Sequence, residues 1–237
     1  MLLVGDGDFS LAVAMVRLAG GDGSRLVATS YDYAEDVRDK YKQAESNIRA
    51  LEKAGASVLH GVDGRRLHRK KELRGELFDR IVFFFPHSGQ QRVHVNRLLL
   101  SEFFSSAARV LAPGGEVHVA LKTFAPYIHW NAPGAAAAAG LDLVVQHPLA
   151  SLQLREHGYI HRTTDPNAVK FRSVDSMLYV FAKSAAAEAA AASSKKRRAA
   201  TSTSTEIAAI LDAAGGTLFP VALSAEARPI KRRKLLP

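Results

Sequence analysis

In the stretch LLVGDGDFSLAVAMV, Asp6 and Asp8 alternate with Gly5 and Gly7 between an apolar run and a segment of helical period. Glycine permits a tight turn and close backbone approach, and a strand-to-helix turn is where an open α/β sheet binds a nucleotide-like ligand. The third glycine of a dinucleotide fingerprint is replaced by Ser10. Two carboxylates there would repel a pyrophosphate, whereas they attract a sulfonium and an ammonium. The loop therefore favours S-adenosylmethionine over NAD, with a purely structural tight turn as the alternative.

Other residues of chemical interest recur where strands end. Asp32 closes RLVATSYD, about where this architecture sets an acid against ribose hydroxyls. Asp63, in HGVDG, lies on the same edge and could accept from an adenine amino group or cap the next helix. In FDRIVFFFPHSG a buried strand runs into Pro86 and His87, putting a group that titrates near neutrality beside the reacting centre. Lys122 ends the strand in VALKTFAPYIHW, and Tyr127, His129 and Trp130 follow, aromatic groups able to stack on an unpaired base or to pack the next helix. HGYIHRTTD offers Tyr159, His161 and Arg162 as a further substrate loop. Arg65 to Arg74 holds six basic residues and one acid in ten positions, a helix that could follow a phosphate backbone or simply face solvent.

Elements of two kinds must position these groups. Short β-branched or aromatic runs, at 1–4, 26–31, 57–62, 79–85, 116–121, 141–146 and 177–181, alternate with helical periods at 9–19, 34–54, 66–74, 92–111 and about 126–139. The alternation predicts an α/β fold, a mostly parallel sheet with helices on both faces. Within 34–54, Tyr41, Ala44, Ile48, Leu51 and Ala54 form one apolar face, and Gly55 supplies the stop. APGGE is expected to separate the 92–111 helix from the next strand.

The chain has 237 residues and a formal charge of +9. Residues 184–237 carry nine Lys/Arg against four acids in Ala-rich and Ser/Thr-rich sequence, which predicts a low-complexity, disordered basic tail after a single domain at 1–183. Its clusters KKRR and PIKRRK suit nuclear import or a nucleic-acid backbone. Nuclear, and specifically nucleolar, residence is the expectation, with the cytoplasm as the alternative. With no cysteine, disulfides, thiolate zinc sites and a cysteine nucleophile are excluded, and no metal is expected. No apolar run approaches the ~20 residues that span a bilayer, and no positively charged segment precedes the apolar start. A soluble intracellular protein is expected.

Taken in order, LLVGDGDFSLA, VATSYD, HGVDGRRL, FDRIVFFFPHSG, LLLSEFFSSAARVLAPGGEVHVALK, PYIHW and GYIHRT resemble the eukaryotic large-subunit ribosomal RNA uridine-N3-methyltransferase-like domain. The resemblance runs from about Leu2 to Lys183. It implies a Rossmann-like class I methyltransferase fold of seven strands, the last antiparallel, that binds S-adenosylmethionine and methylates N3 of a uridine. It also implies a cofactor site at Gly5, Asp6, Gly7, Asp8, Phe9, Ser10, Asp32 and Asp63, and a proline-histidine motif at Pro86 and His87. The chain departs from the family pattern at Asp6, usually glutamate, and at Phe84, usually an asparagine suited to hydrogen-bonding the substrate base. Phe84 can stack or pack but neither donates nor accepts. Catalysis would rest on alignment, with His87, or a water it holds, taking the N3 proton and Lys122 as electrostatic partner. Phe84, Tyr127, Trp130 and Arg162 are the substrate-side candidates. The competing readings are a catalytically inactive cofactor- and RNA-binding module and an NAD-dependent oxidoreductase.

Overall fold

The computed structural model describes residues 1–161 and 175–185. These form two compact units, 1–62 with 153–161, and 63–152 with 175–185. The strands make a seven-stranded sheet of order β3-β2-β1-β4-β5-β7-β6.

In the first unit, β1 (Leu2–Val4), β2 (Val27–Thr29) and β3 (Ser57–Leu59) are parallel, with Leu2 opposite Val27 and Val27 opposite Ser57. Every residue of β1 and β2 is buried, as the uninterrupted apolar run of a covered parallel strand requires. Helix α1 (Ser10–Leu18) buries its first seven residues, Ser10 to Val16, so small side chains such as Ala12 and Ala14 are needed all round it. The single helix expected over 34–54 is two, α2 (Ala34–Lys40) and α3 (Ala44–Lys53). The break falls at Tyr41, which is extended at φ −129° and ψ 98°. Its ring lies against Gly7, where an added Cβ would stand 2.8 Å from the Tyr41 hydroxyl oxygen. Ala44 and Leu51 are buried as their period predicts.

In the second unit, β4 (Phe78–Phe84) runs parallel to β5 (Leu111–Lys122), with Ile81 opposite Val117. Strand β7 (Ser176–Lys183) pairs antiparallel with both β5 and β6 (Leu141–Pro148). Ile81, Val82 and Phe84 are all buried, so β4 is covered on both faces. Phe83 meets Phe103 of α4 (Val93–Val110) edge-on at 4.9 Å, and Phe104 meets Phe181 of β7 at 4.9 Å. Helix α5 (Ala132–Ala138) follows β5.

Two further expectations are corrected by the second unit. APGG does not precede the fifth strand: β5 starts at Leu111, opposite Phe78, and the register then jumps to Arg80 opposite Glu116. The extra residues loop out as an irregularity in the ladder. Gly115 has to be glycine there, because a Cβ would lie 2.9 Å from the Asp79 carbonyl oxygen. The basic stretch is not one α-helix but two 3-10 turns, Gly64–Arg69 and Lys71–Leu73. Leu67 and Leu73 are buried, Arg66 is non-helical at φ −137°, and the Leu67 N–H donates to Ser106 Oγ of α4 at 2.8 Å. Arg66, Arg69, Lys71 and Arg74 remain exposed.

Among the described residues no helix is long and apolar enough to cross a membrane, and no group of three or more His, Asp or Glu could hold a metal. Arg162 and the tail clusters lie outside the described residues.

Candidate functional site

The turn after β1 is held from several directions. The Asp6 N–H donates to the Thr29 carbonyl at the end of β2 at 2.9 Å, and Asp6 Oδ2 accepts from the Ala12 N–H at 2.7 Å. Asp8 Oδ1 accepts from the Ser10 N–H at 3.0 Å, and the Asp8 carbonyl accepts from Asn47 Nδ2 of α3 at 2.8 Å. Phe9 stands in the left-handed region at φ 61° and delivers the chain into α1; its buried ring meets His60 edge-on at 5.4 Å. Both carboxylates are almost wholly buried, Asp6 at 8% and Asp8 at 1% exposure. Burial raises the Asp6 carboxyl to about 7; the Ala12 N–H opposes this and the Asp8 charge adds to it. The turn thus concentrates acid in a low-dielectric site where a cation would be favoured.

Asp32, just beyond β2, has a partner that sequence reading missed. Its Oδ1 accepts from Lys40 Nζ of α2 at 2.8 Å, an ion pair in which the lysine is half exposed. The Asp32 carbonyl is held by Ser30 Oγ at 2.7 Å and by the Gly61 N–H at 3.1 Å, and Ser30 Oγ also meets His60 Nδ1 at 2.9 Å. Gly5, Asp6, Gly7, Asp8, Phe9, Ser10 and Asp32 therefore belong to one unit. Asp63 opens the other. It caps the first 3-10 turn by accepting from the Arg65 N–H at 3.0 Å, and both its oxygens take Arg65 guanidinium hydrogens at 2.8 to 3.1 Å. Burial pushes its carboxyl up, but these bonds outweigh it and hold the group below the usual range.

The second unit gathers Phe84, Pro86, His87, Lys122, Tyr127 and Trp130 around the ends of β4 and β5, whereas Tyr159 and His161 belong to the first unit. Phe85 turns left-handed at φ 51°, and its N–H still donates to the Ala120 carbonyl of β5 at 2.9 Å. Pro86 is buried and His87 half-buried. The Gly89 N–H donates to His87 Nδ1 at 2.9 Å. Asn96, wholly buried in the first turn of α4, fixes this loop: its Oδ1 accepts from the Ser88 N–H at 3.0 Å, and its Nδ2 donates to the Gln90 and Arg92 carbonyls at 2.7 and 3.0 Å. In the sequence its only signal is an amide among the apolar residues of α4.

Beside His87 lies an aromatic and basic cluster. Its ring tilts against Trp130 at 5.7 Å, Trp130 against Tyr127 at 4.7 Å, and Tyr127 meets Phe124 edge-on at 5.5 Å. Lys122 Nζ stands 5.1 Å from the Tyr127 ring centre and 5.8 Å from that of Phe124, within cation-π range. Burial lowers the Lys122 ammonium, while burial first and the Lys122 charge second lower the His87 imidazole. Trp130 is buried, and its indole N–H has no hydrogen-bond partner among the described residues. Phe84 is buried, edge-on to Phe85 at 6.2 Å.

A seven-stranded sheet of this order, with β7 antiparallel, defines a Rossmann-like class I methyltransferase fold. The chain belongs to the BMT5-like family, described as rRNA (uridine-N3-)-methyltransferase, whose model matches residues 2–163. It is 40% identical over 151 residues to heavy metal-associated isoprenylated plant protein 41 of Arabidopsis thaliana, covering 61% of this chain and 29% of that one. It is 44% identical over 123 residues to human ferredoxin-fold anticodon-binding domain-containing protein 1, covering 51% of this chain and 19% of that one. The chain thus spans less than a third of the length of either relative. Among solved structures, the 16S rRNA methyltransferase KamB is similar with a TM-score of 0.49 at 15% identity, covering 77% of this chain and 86% of that one.

Proposed function

We propose that this chain is an S-adenosylmethionine-dependent methyltransferase acting on N3 of a uridine in ribosomal RNA, and specifically in the large subunit. The observation that carries the reading is the pair of buried carboxylates, Asp6 and Asp8, in the turn after β1, in a chain of the BMT5-like family. Their chemistry fits a sulfonium or ammonium and does not fit a pyrophosphate. Asp6 and Asp8 would hold the cationic part of the cofactor and Asp32 its ribose hydroxyls. When bound, the cofactor supplies a methyl group on a positively charged sulfur.

The residues of the second unit would serve the base. Half-buried Tyr127 offers an aromatic face and Lys122 a positive charge held against its ring, whereas Trp130, expected to stack on the base, is buried at 1% exposure and packs against Tyr127 instead. The exposed Arg66, Arg69, Lys71 and Arg74 supply charge for an RNA backbone. The basic clusters at 195–198 and 229–234 support nuclear and nucleolar residence. Deleting residues 184–237 from a fluorescent fusion tests this, and an unchanged distribution rejects it.

The enzymatic reading is tested by incubating the purified chain with large-subunit rRNA transcript and radiolabelled cofactor, then identifying the labelled nucleoside by mass spectrometry. N3-methyluridine is the expected product. No label, or label on another position, refutes the assignment.

A further inference from the structure

We propose that His87 serves the reaction as a hydrogen-bond donor through Nε2, not as the base that removes the N3 proton, and that His87 and Lys122 together hold the uracil as its N3 anion. The inference rests on the methyltransferase reading above.

The Gly89 N–H donates to His87 Nδ1 at 2.9 Å, so the Nδ1 lone pair is engaged. A neutral imidazole carries one proton, and with Nδ1 as acceptor that proton is on Nε2. A general base needs a free lone pair, and in this tautomer the ring presents none. Taking up a second proton would set an Nδ1–H against the Gly89 N–H and sacrifice their bond. The loop resists rearrangement, because buried Asn96 holds the Ser88 N–H and the Gln90 and Arg92 carbonyls.

The groups facing the ring point the same way. Lys122 acts on it from β5, Trp130 packs on it from the 127–130 turn, and Gly89 bonds it from its own loop. None of these is anionic, and among the described residues both burial and the Lys122 charge disfavour an imidazolium. The buried indole N–H of Trp130, without a hydrogen-bond partner among the described residues, is a further donor in the cluster and not an acceptor. A site with this balance suits a substrate that brings acceptors and negative charge.

Deprotonated uracil is such a substrate. Loss of the N3 proton leaves charge shared with O2 and O4, both strong acceptors. A donor N–H and an ammonium stabilise that anion more than the neutral base, which is the electrostatic form of transition-state binding. The proton passes to solvent water. The electron pair left on N3 becomes the new N–C bond as the C–S pair departs with sulfur, so charge and atoms balance. Lys122 also gains, since an anion beside it favours its charged form against the effect of burial.

The test compares His87→Gln with His87→Ala in single-turnover methylation of large-subunit rRNA transcript. Glutamine keeps an N–H donor near the Nε2 position and cannot act as a base near neutrality. Expected are a loss of roughly 100-fold in His87→Ala and a rate at least tenfold higher in His87→Gln. Equal loss in both, with a wild-type rate that falls as one group protonates below pH 7, overturns the donor role and leaves the methyltransferase reading intact. No transfer by the wild-type chain overturns both. In parallel, ring-15N histidine NMR of the full wild-type chain, assigned against His87→Gln, reads the tautomer directly. A proton on Nε2 at pH 7.5 is expected, and a proton on Nδ1 overturns the inference whatever the kinetics show.

Discussion

Ser10 and Ile160, 150 residues apart in sequence, face each other through two hydrogen bonds of 3.2 Å, with Ser10 Oγ accepting from the Ile160 N–H and donating to its carbonyl. One hydroxyl thus fastens the 153–161 segment to the first turn of α1, at the end of the acidic loop. Arg17 adds a bond from its guanidinium to the His157 carbonyl at 2.9 Å. Tyr159 lies between these two ties. Burial first, and then the charges of Asp6 and Asp8, push its phenol well above the usual range, so it stays a neutral donor beside the acids. The segment is thus tied to α1 beside the acidic turn.

Ser10→Ala removes one donor and one acceptor from Ile160 together. The expected cost is about 1 to 2 kcal/mol in denaturant unfolding, with faster hydrogen exchange at the Ile160 amide. Exchange there that matches the wild type would show that the segment is held by something other than Ser10.

The elements were legible where residue type alone decides the backbone. Gly5 and Gly7 announced the turn after β1, and Pro86 announced the end of β4, because glycine and proline carry their conformational preference with them. The break between α2 and α3 was not legible: the apolar period continues through Tyr41, whereas its extended backbone and the approach of its ring to Gly7 are tertiary facts. Likewise the 65–74 stretch has the composition of a charged helix, but the burial of Leu67 and Leu73 and the bond to Ser106 draw it into 3-10 turns. At the candidate site, the sequence singles out His87 but not the bond at its Nδ1, since the partner is a backbone N–H that every residue but proline possesses. Lys40 escaped for a similar reason, being a helix-face lysine until the fold brings it to Asp32.

Asp6 gives the chain a definite pH signature. Its carboxyl is raised from 3.8 to about 7 in the folded protein, chiefly by burial. Between those values the folded chain keeps a proton that the unfolded chain has lost, so stability from this group falls as pH rises toward 7 and is level above it. Asp6→Asn keeps an acceptor for the Ala12 N–H and removes the charge. It should therefore stabilise the protein at pH 8 by on the order of 1 to 3 kcal/mol and leave stability at pH 4 nearly unchanged. A cationic ligand reverses the preference, so S-adenosylmethionine binding at pH 6 should release a proton. Calorimetry in two buffers of different ionisation enthalpy measures that release, and equal apparent heats would refute it.

Phe84 separates a packing role from a substrate role. It is 8% exposed in a strand covered on both faces, edge-on to Phe85. If its task is packing, Phe84→Leu costs about 1 to 1.5 kcal/mol, lowers the melting temperature by a few degrees, and leaves KM for RNA within about twofold of wild type. Phe84→Asn, which restores the residue that the family pattern carries, should cost about 3 kcal/mol or more, because the amide replaces a buried ring and must find its own partners. A contrary result is easy to recognise. If Phe84→Leu melts like the wild type but raises KM for RNA tenfold, the ring contacts the base and the packing assignment fails.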